Sequence, residues 1–214
     1  MRTGQAAPVG EMTERDLPAI LYLIGQDSHR TDVHVPSWWR HDHPRRRSYL
    51  MAFGRVESVE QQMSGRTLEE VWDLETSVTQ GDIAQFLVEF ISGRGIDLVE
   101  MASSRLALDL IPAARMAFPD LKFIVDLRTD TRLRWDDCTY VTSRYGNLVD
   151  AYVTDSAAIA DRLQAQYIPA TKIHSVPPLG ATDDVGVFAD TLYCTLMGGS
   201  VELCSEHVIS GSRD

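Results

Sequence analysis

Three arginines stand where this chain could hold an anion. Arg128 follows the apolar run ending in Val125-Asp126-Leu127, Arg105 follows Ser103-Ser104 after another such run, and Arg144 lies in the segment Tyr-Val-Thr-Ser-Arg-Tyr-Gly-Asn. A guanidinium stays charged and presents a planar fork of donors that meets a phosphate or a carboxylate with two parallel bonds. Arg128 reads as such a clamp or, equally, as the ion-pair partner of Asp126 or Asp130. Arg105 occupies a comparable strand end, where Ser103 and Ser104 also read as caps of the helix starting there. Arg144, with Tyr145 and Asn147 beside it, reads as a phosphate contact or as part of a solvated helix face.

The most basic and aromatic patch is Trp38–Arg47, Trp-Trp-Arg-His-Asp-His-Pro-Arg-Arg-Arg. Arginine and tryptophan together can hold an anionic or sugar group by charge and stacking, or touch a membrane surface, and a solvated loop is the plain alternative. His29, His34, His41 and His43 invite a metal reading. A His-x-His in a proline-containing loop brings no carboxylate or cysteine at ligand spacing, so no metal is expected. Cys138, Cys194 and Cys204 are odd in number and far apart, which gives neither a disulfide framework nor a zinc signature and points to a reducing cytoplasm. No Ser/His/Asp triad, P-loop or Gly-x-Gly-x-x-Gly fingerprint occurs, so hydrolase, kinase and dehydrogenase chemistry have no support and no cofactor is expected.

The elements that must position these residues alternate along the chain. Ala19–Ile24 is an unbroken apolar run between Pro18 and Gly25, as a buried central strand requires. Tyr49–Phe53 and Glu70–Leu74 read as further strands, with polar loops from Gln26 to Arg47 and from Val56 to Arg66. Gly81 opens a helix whose apolar residues Ile83, Phe86, Leu87, Phe90 and Ile91 share one face, and Gly93 and Gly95 stop it. Leu98–Ala102 and Lys122–Leu127 read as strands around a helix at Leu106–Phe118, where Pro112 implies a kink or a start delayed to Ile111. Thr139–Asp150 reads as helix. A final unit runs from strand Ala151–Thr154 through a helix, capped by Ser156 and striped by Ile159, Leu163 and Tyr167, to strand Lys172–Val176 and the rigid turn Pro177-Pro178-Leu179-Gly180. Strand, crossover helix and strand imply a mostly parallel sheet in a Rossmann-like, three-layer α/β sandwich. Ligands in such sheets bind beyond the carboxyl ends of the strands, where Gly25, Arg105, Arg128, Ser156 and Gly180 fall.

The order Asp-Ala-Tyr-Val-Thr-Asp-Ser, helix, Lys-Ile-His-Ser-Val-Pro-Pro-Leu-Gly-Ala resembles the end of the N-terminal domain of retaining GT-B glycosyltransferases of the family-4 type. The match falls on Ser156, Lys172, Ile173, Val176 and Pro177, with Leu179 on the family's glycine unless one inserted residue brings Gly180 there. The resemblance spans Gly81 to Asp183. It implies transfer of a sugar from a nucleotide-activated donor to an acceptor, with retention at the anomeric carbon and no bound metal. Arg128, Arg105, Arg144 and Ser156 then become candidate substrate contacts, and Gly25 and Gly180 candidate contacts to the donor. The chain departs from the family twice: Gly25 stands where a Gly-Gly pair is usual, and Arg128 where a histidine ends the strand.

With 214 residues, 44% hydrophobic and 24% charged, the composition is that of a soluble globular domain. A net charge of −11, from 20 basic and 31 acidic residues, disfavours nucleic-acid binding. No apolar run approaches the roughly 20 residues of a membrane helix. Residues 1–17 read as a flexible leader and 18–183 as the Rossmann-like domain, with 184–214 a divergent tail and the second GT-B domain absent. The expectation is therefore the acceptor-side half of a hexosyltransferase-like enzyme in the cytoplasm, or else a non-catalytic Rossmann-like module that binds a ligand or a partner. A truncated cleft face would expose apolar surface around Pro177–Gly180 and Phe188–Leu196, with Leu192, Tyr193 and Leu196 anchoring self-association or a partner.

Overall fold

In the computed structural model of the chain the described residues are 18–25, 46–53, 70–73, 79–102, 105–127, 140, 142–176 and 182–198. Seven strands form one sheet: β1 (Ile20–Gly25), β2 (Ser48–Phe53), β3 (Glu70–Asp73), β4 (Leu98–Ala102), β5 (Lys122–Asp126), β6 (Ala151–Thr154) and β7 (Ile173–Ser175). They stand in the order β3-β2-β1-β4-β5-β6-β7, and every neighbouring pair is parallel. β1 is interior, with β4, β5 and β6 all on one side of it, as the apolar runs predict. The helices are α1 (Gln80–Arg94), α2 (Arg105–Asp109), α3 (Ile111–Ala117), α4 (Ala157–Ala165) and α5 (Thr182–Leu196). The result is the expected Rossmann-like α/β sandwich of three layers.

Strand side chains alternate between the two faces of the sheet, and each face builds its own core. One core joins Leu21, Leu23, Val99, Met101, Phe123 and Tyr152 to Leu87 and Ile91 of α1, Ile111 of α3 and Leu163 of α4. The other joins Ile20, Tyr22, Ile24, Leu98, Ile124 and Val153 to Ala189, Leu192 and Tyr193 of α5. Leu192 and Tyr193, expected on an exposed face, are 3% and 0% exposed, and Leu196 packs against the same core. Ala189, Leu192, Tyr193 and Leu196 recur at i, i+3, i+4 and i+7, so they share one stripe of α5 and face the sheet together. Burying a leucine stabilises by about 1.5–3 kcal/mol, which decides against leaving that stripe in water. Polar groups fasten the helix as well. The Tyr193 hydroxyl donates to Oε2 of the fully buried Glu100 at 2.7 Å, and Arg46 pairs with Asp190 at 2.7 Å while its guanidinium lies 4.6 Å from the Tyr193 ring centre.

Local chemistry sets the helix ends. Thr79 caps α1 in a reciprocal box with Asp82, and Gly95 ends the helix in the left-handed conformation at φ 57°. Gly93 lies inside α1 and stops nothing. The expected helix at Leu106–Phe118 is two helices broken at Leu110, with Pro112 in the first turn of α3, where its missing N–H is harmless. Residues 140 and 142–145 are helical, and 146–148 already form a turn, so the helix expected to reach Asp150 is shorter.

The stripe expected on α4 holds for Leu163 and fails at Tyr167, which is 95% exposed. α4 stops at Ala165, and Tyr167 takes a left-handed backbone at φ 65°. That turn lets the Ile168 N–H reach Leu163 O at 3.1 Å and buries Ile168 in the place foreseen for the tyrosine.

The amino ends of the strands are pinned by side chains that reach backbone. Asp97 accepts from Ala19 N at 2.8 Å, Asp150 accepts from Phe123 N at 2.9 Å, and Lys172 donates to Val149 O at 2.6 Å. Arg115 donates to Leu121 O and Leu148 O and pairs with Asp150. Cys194, buried on α5, is disulfide-bonded, against the expectation that the three cysteines form no disulfide framework, and this removes the support that expectation gave to a reducing compartment. Among the described residues no helix is long and apolar enough to cross a membrane.

Candidate functional site

The strand order reverses between β1 and β4, and such a reversal opens a crevice at the carboxyl ends of the two strands. Gly25 closes β1 opposite Phe53 of β2. Ala102 closes β4, in register with Ile24 on one side and Asp126 on the other. α2 opens at Arg105, so the backbone of that residue stands directly above the end of β4. Gly25 thus ends one of the two strands that flank the reversal, and Arg105 opens the helix that follows the other. Ser103, Ser104, Arg128, Gly180 and the basic loop from Trp38 to Arg45 lie outside the described residues.

One strand further, Asp126 ends β5 and is fully buried. A carboxylate is costly to remove from water, and Asp126 is not without a partner at this strand end. Sequence reading weighed Asp126 only as a partner for Arg128. Its signal was a charge interrupting an apolar strand, Phe-Ile-Val-Asp-Leu, and the same signal marks the buried Glu100 in Leu-Val-Glu-Met-Ala.

At the end of β6, Thr154 is fully buried, and its Oγ1 accepts from Ser156 N at 3.1 Å. Ser156 is the N-cap residue of α4, with extended φ −123° and ψ 121°, but its side chain makes no capping bond. The expected position is therefore right and the expected hydrogen bond is not made: the Thr154 hydroxyl turns the chain instead. The Ser156 hydroxyl stays at the start of α4, the end of a helix that favours negative charge.

Arg144 belongs to a different neighbourhood. Its guanidinium lies 4.9 Å from the ring centre of Tyr140, and its side chain is exposed. The Tyr140 hydroxyl donates to Asp109 Oδ1 at 2.5 Å, and the Tyr145 hydroxyl donates to the same oxygen. Asp109 is the last residue of α2, so these bonds tie residues 140–145 to the helix that Arg105 begins. Burial, and then the Asp109 bond, push both phenols above their ordinary range, most strongly at Tyr145. On β7, burial lowers His174 below the usual imidazole value. Among the described residues no group of three or more His, Cys, Asp or Glu stands ready to hold a metal ion.

No protein-family model and no curated protein matches the chain. Solved structures do. A UDP-N-acetylglucosamine 2-epimerase from Rickettsia bellii superposes with a TM-score of 0.52 at 12% identity, over 74% of this chain and 44% of that one. Anabaena Alr3699/HepE in complex with UDP superposes with a TM-score of 0.51 at 12% identity, over 74% of this chain and 43% of that one. The same Anabaena protein with UDP and glucose gives a TM-score of 0.51 at 11% identity, over 74% and 44%. The chain spans less than half the length of each of these solved structures, and at these identities the likeness is one of fold.

Proposed function

We propose that this chain is the acceptor-side part of a nucleotide-sugar enzyme of GT-B architecture, a retaining hexosyltransferase of the family-4 type. The observation that carries the reading is the reversal of strand order between β1 and β4, with Gly25 and Arg105 beside it, in a fold shared with proteins solved with UDP. A nucleotide-sugar donor and a hydroxyl-bearing acceptor are the ligands. The glycine at the end of β1 lets a phosphate approach the backbone closely. In this reading Arg105 and Arg128 supply bidentate donors to phosphate or acceptor, Ser156 is a further substrate contact and Gly180 a further contact to the donor. Asp126 is the buried carboxylate at the end of β5. In this reading the domain includes α5, a proposal supported by the packing of Ala189, Leu192 and Tyr193 in the second core.

A second reading, a Rossmann-like module that binds its ligand without turning it over, is favoured by Arg128. An arginine cannot exchange the proton that a histidine at that strand end would.

Calorimetric titration of the chain with UDP tests both. The expected result is weak, saturable binding of UDP that falls on Gly25→Val and on Arg128→Gln, with no transfer of sugar from a labelled donor by this chain alone. Transfer needs reacting groups held in one geometry across a complete cleft. Absence of UDP binding at millimolar concentration would remove both nucleotide-based readings.

A further inference from the structure

Asp109 and Arg144 are opposite charges that touch the same tyrosine and do not touch each other. Tyr140 donates its hydroxyl to Asp109 Oδ1 and carries the Arg144 guanidinium against its ring at 4.9 Å. Among the described residues neither Asp109 nor Arg144 is in an ion pair, although both contact the Tyr140 side chain. Oδ1 is occupied by two phenol donors, and among the described residues Oδ2 takes no donor. Asp109 is half-buried at the carboxyl end of α2, where the free carbonyls of a helix disfavour a carboxylate. Two phenols converge to hold it there. The chain packs closely at Gly146, where a side chain would meet Thr142 O at 2.7 Å and Ile168 Cδ1 at 3.1 Å. The carboxylate and the guanidinium therefore flank one tyrosine, the first at its hydroxyl and the second against its ring.

We propose that Asp109 and Arg144, with Tyr140 between them, form a saccharide subsite that takes a pair of neighbouring hydroxyls. One hydroxyl donates to Asp109 Oδ2, and the oxygen of the next accepts from the Arg144 guanidinium. A neutral diol satisfies both charges at once. A phosphate would meet the carboxylate at close range, and a cation would meet the guanidinium, so neither single charge fits. The segment from residue 140 to Asp150 descends from the carboxyl end of β5 to the amino end of β6, which puts Tyr140 towards the crevice end of its layer. The choice of saccharide over other diols rests on the nucleotide-sugar reading, and the subsite is where the acceptor sugar of that reaction is held.

The test is nuclear magnetic resonance of the full chain carrying carbon-13 tyrosine, titrated separately with glucose, N-acetylglucosamine and maltose. The Tyr140 and Tyr145 ring signals are assigned by Y140F and Y145F. The expected result is a saturable shift of the Tyr140 ring with at least one of these sugars, weakened about tenfold or more in R144Q and in D109N, since one lost charge-assisted hydrogen bond is worth about that factor. Arg144 is exposed and makes no bond that holds the fold beyond its stack, so R144Q carries the test if D109N does not fold. A purely structural cluster gives a lower melting temperature in D109N and no sugar-dependent shift in wild type, which overturns the proposal. A shift of unchanged strength in R144Q overturns it too. Loss of UDP binding with a retained sugar shift would sink the nucleotide reading and leave the subsite standing.

Discussion

Arg46, just ahead of β2, and Asp190, on α5, meet as a buried pair at 2.7 Å across 144 positions of chain. Arg46 is 3% exposed and Asp190 9%, so water screens little of their attraction. The pair fixes where α5 lies on the sheet, because the same guanidinium also stacks on Tyr193.

Asp190→Ala is expected to destabilise the fold by about 3–5 kcal/mol, since it leaves the buried guanidinium without this carboxylate. Arg46→Met combined with Asp190→Leu should recover most of the loss, an apolar pair being often neutral in such a place. Urea unfolding of the three proteins measures this. A single-variant loss below about 1 kcal/mol would show that the ion pair does not anchor α5.

Tyr167→Gly is expected to stabilise by about 0.5–1 kcal/mol. The left-handed backbone at φ 65° costs a β-carbon-bearing residue about 1–2 kcal/mol, and glycine's extra freedom in the unfolded chain returns roughly half of that. Tyr167→Ala keeps the strain and should gain nothing. A higher denaturation midpoint for glycine alone identifies the turn, not the exposed ring, as the cause.

Stability should fall steeply on the alkaline side. The phenols of Tyr140 and Tyr145 lie above their ordinary value in the folded chain, chiefly through burial and then through Asp109. The folded state therefore holds its proton longer than the unfolded one. That contribution is complete below the unfolded value of about 10 and is lost as pH rises beyond it. Y145F should flatten the alkaline limb of a plot of stability against pH. An identical limb in wild type and variant would count against the buried phenol.

The acid side carries the opposite sign. Burial lowers the His174 imidazole, so the folded chain favours its neutral form. Its contribution is present above the unfolded value of about 6.5 and disappears as pH falls towards the lowered folded value. H174N should remove that part of the acid limb, seen as a shallower drop in melting temperature below about pH 6.5.

The sheet was legible because its strands are apolar runs of the right length, and a run such as Ala-Ile-Leu-Tyr-Leu-Ile has few other uses. Helix ends were less so. Nothing in the spacing of Ile159, Leu163 and Tyr167 announces that the chain turns left-handed one residue early and hands the core position to Ile168. α5 was misjudged for a different reason: its apolar stripe is plain in the sequence, but which sheet face it covers depends on contacts with residues as distant as Glu100 and Arg46. In the site, strand ends could be located from the pattern, which placed Gly25, Arg105 and Ser156. Asp109 could not, since its importance arises from two tyrosines more than 30 positions away.

The lateness of α5 in the chain has a kinetic consequence. The second core begins at Ile20 and is closed by Ala189, Leu192 and Tyr193. During synthesis the inner face of β1, β4 and β5 must wait for more than 60 residues after β5 before its cover exists. All-parallel pairing and closure from the far end of the chain both raise contact order, which slows folding and prolongs the life of a half-covered sheet. In such a nascent chain that face is covered only once residues 182–196 have emerged.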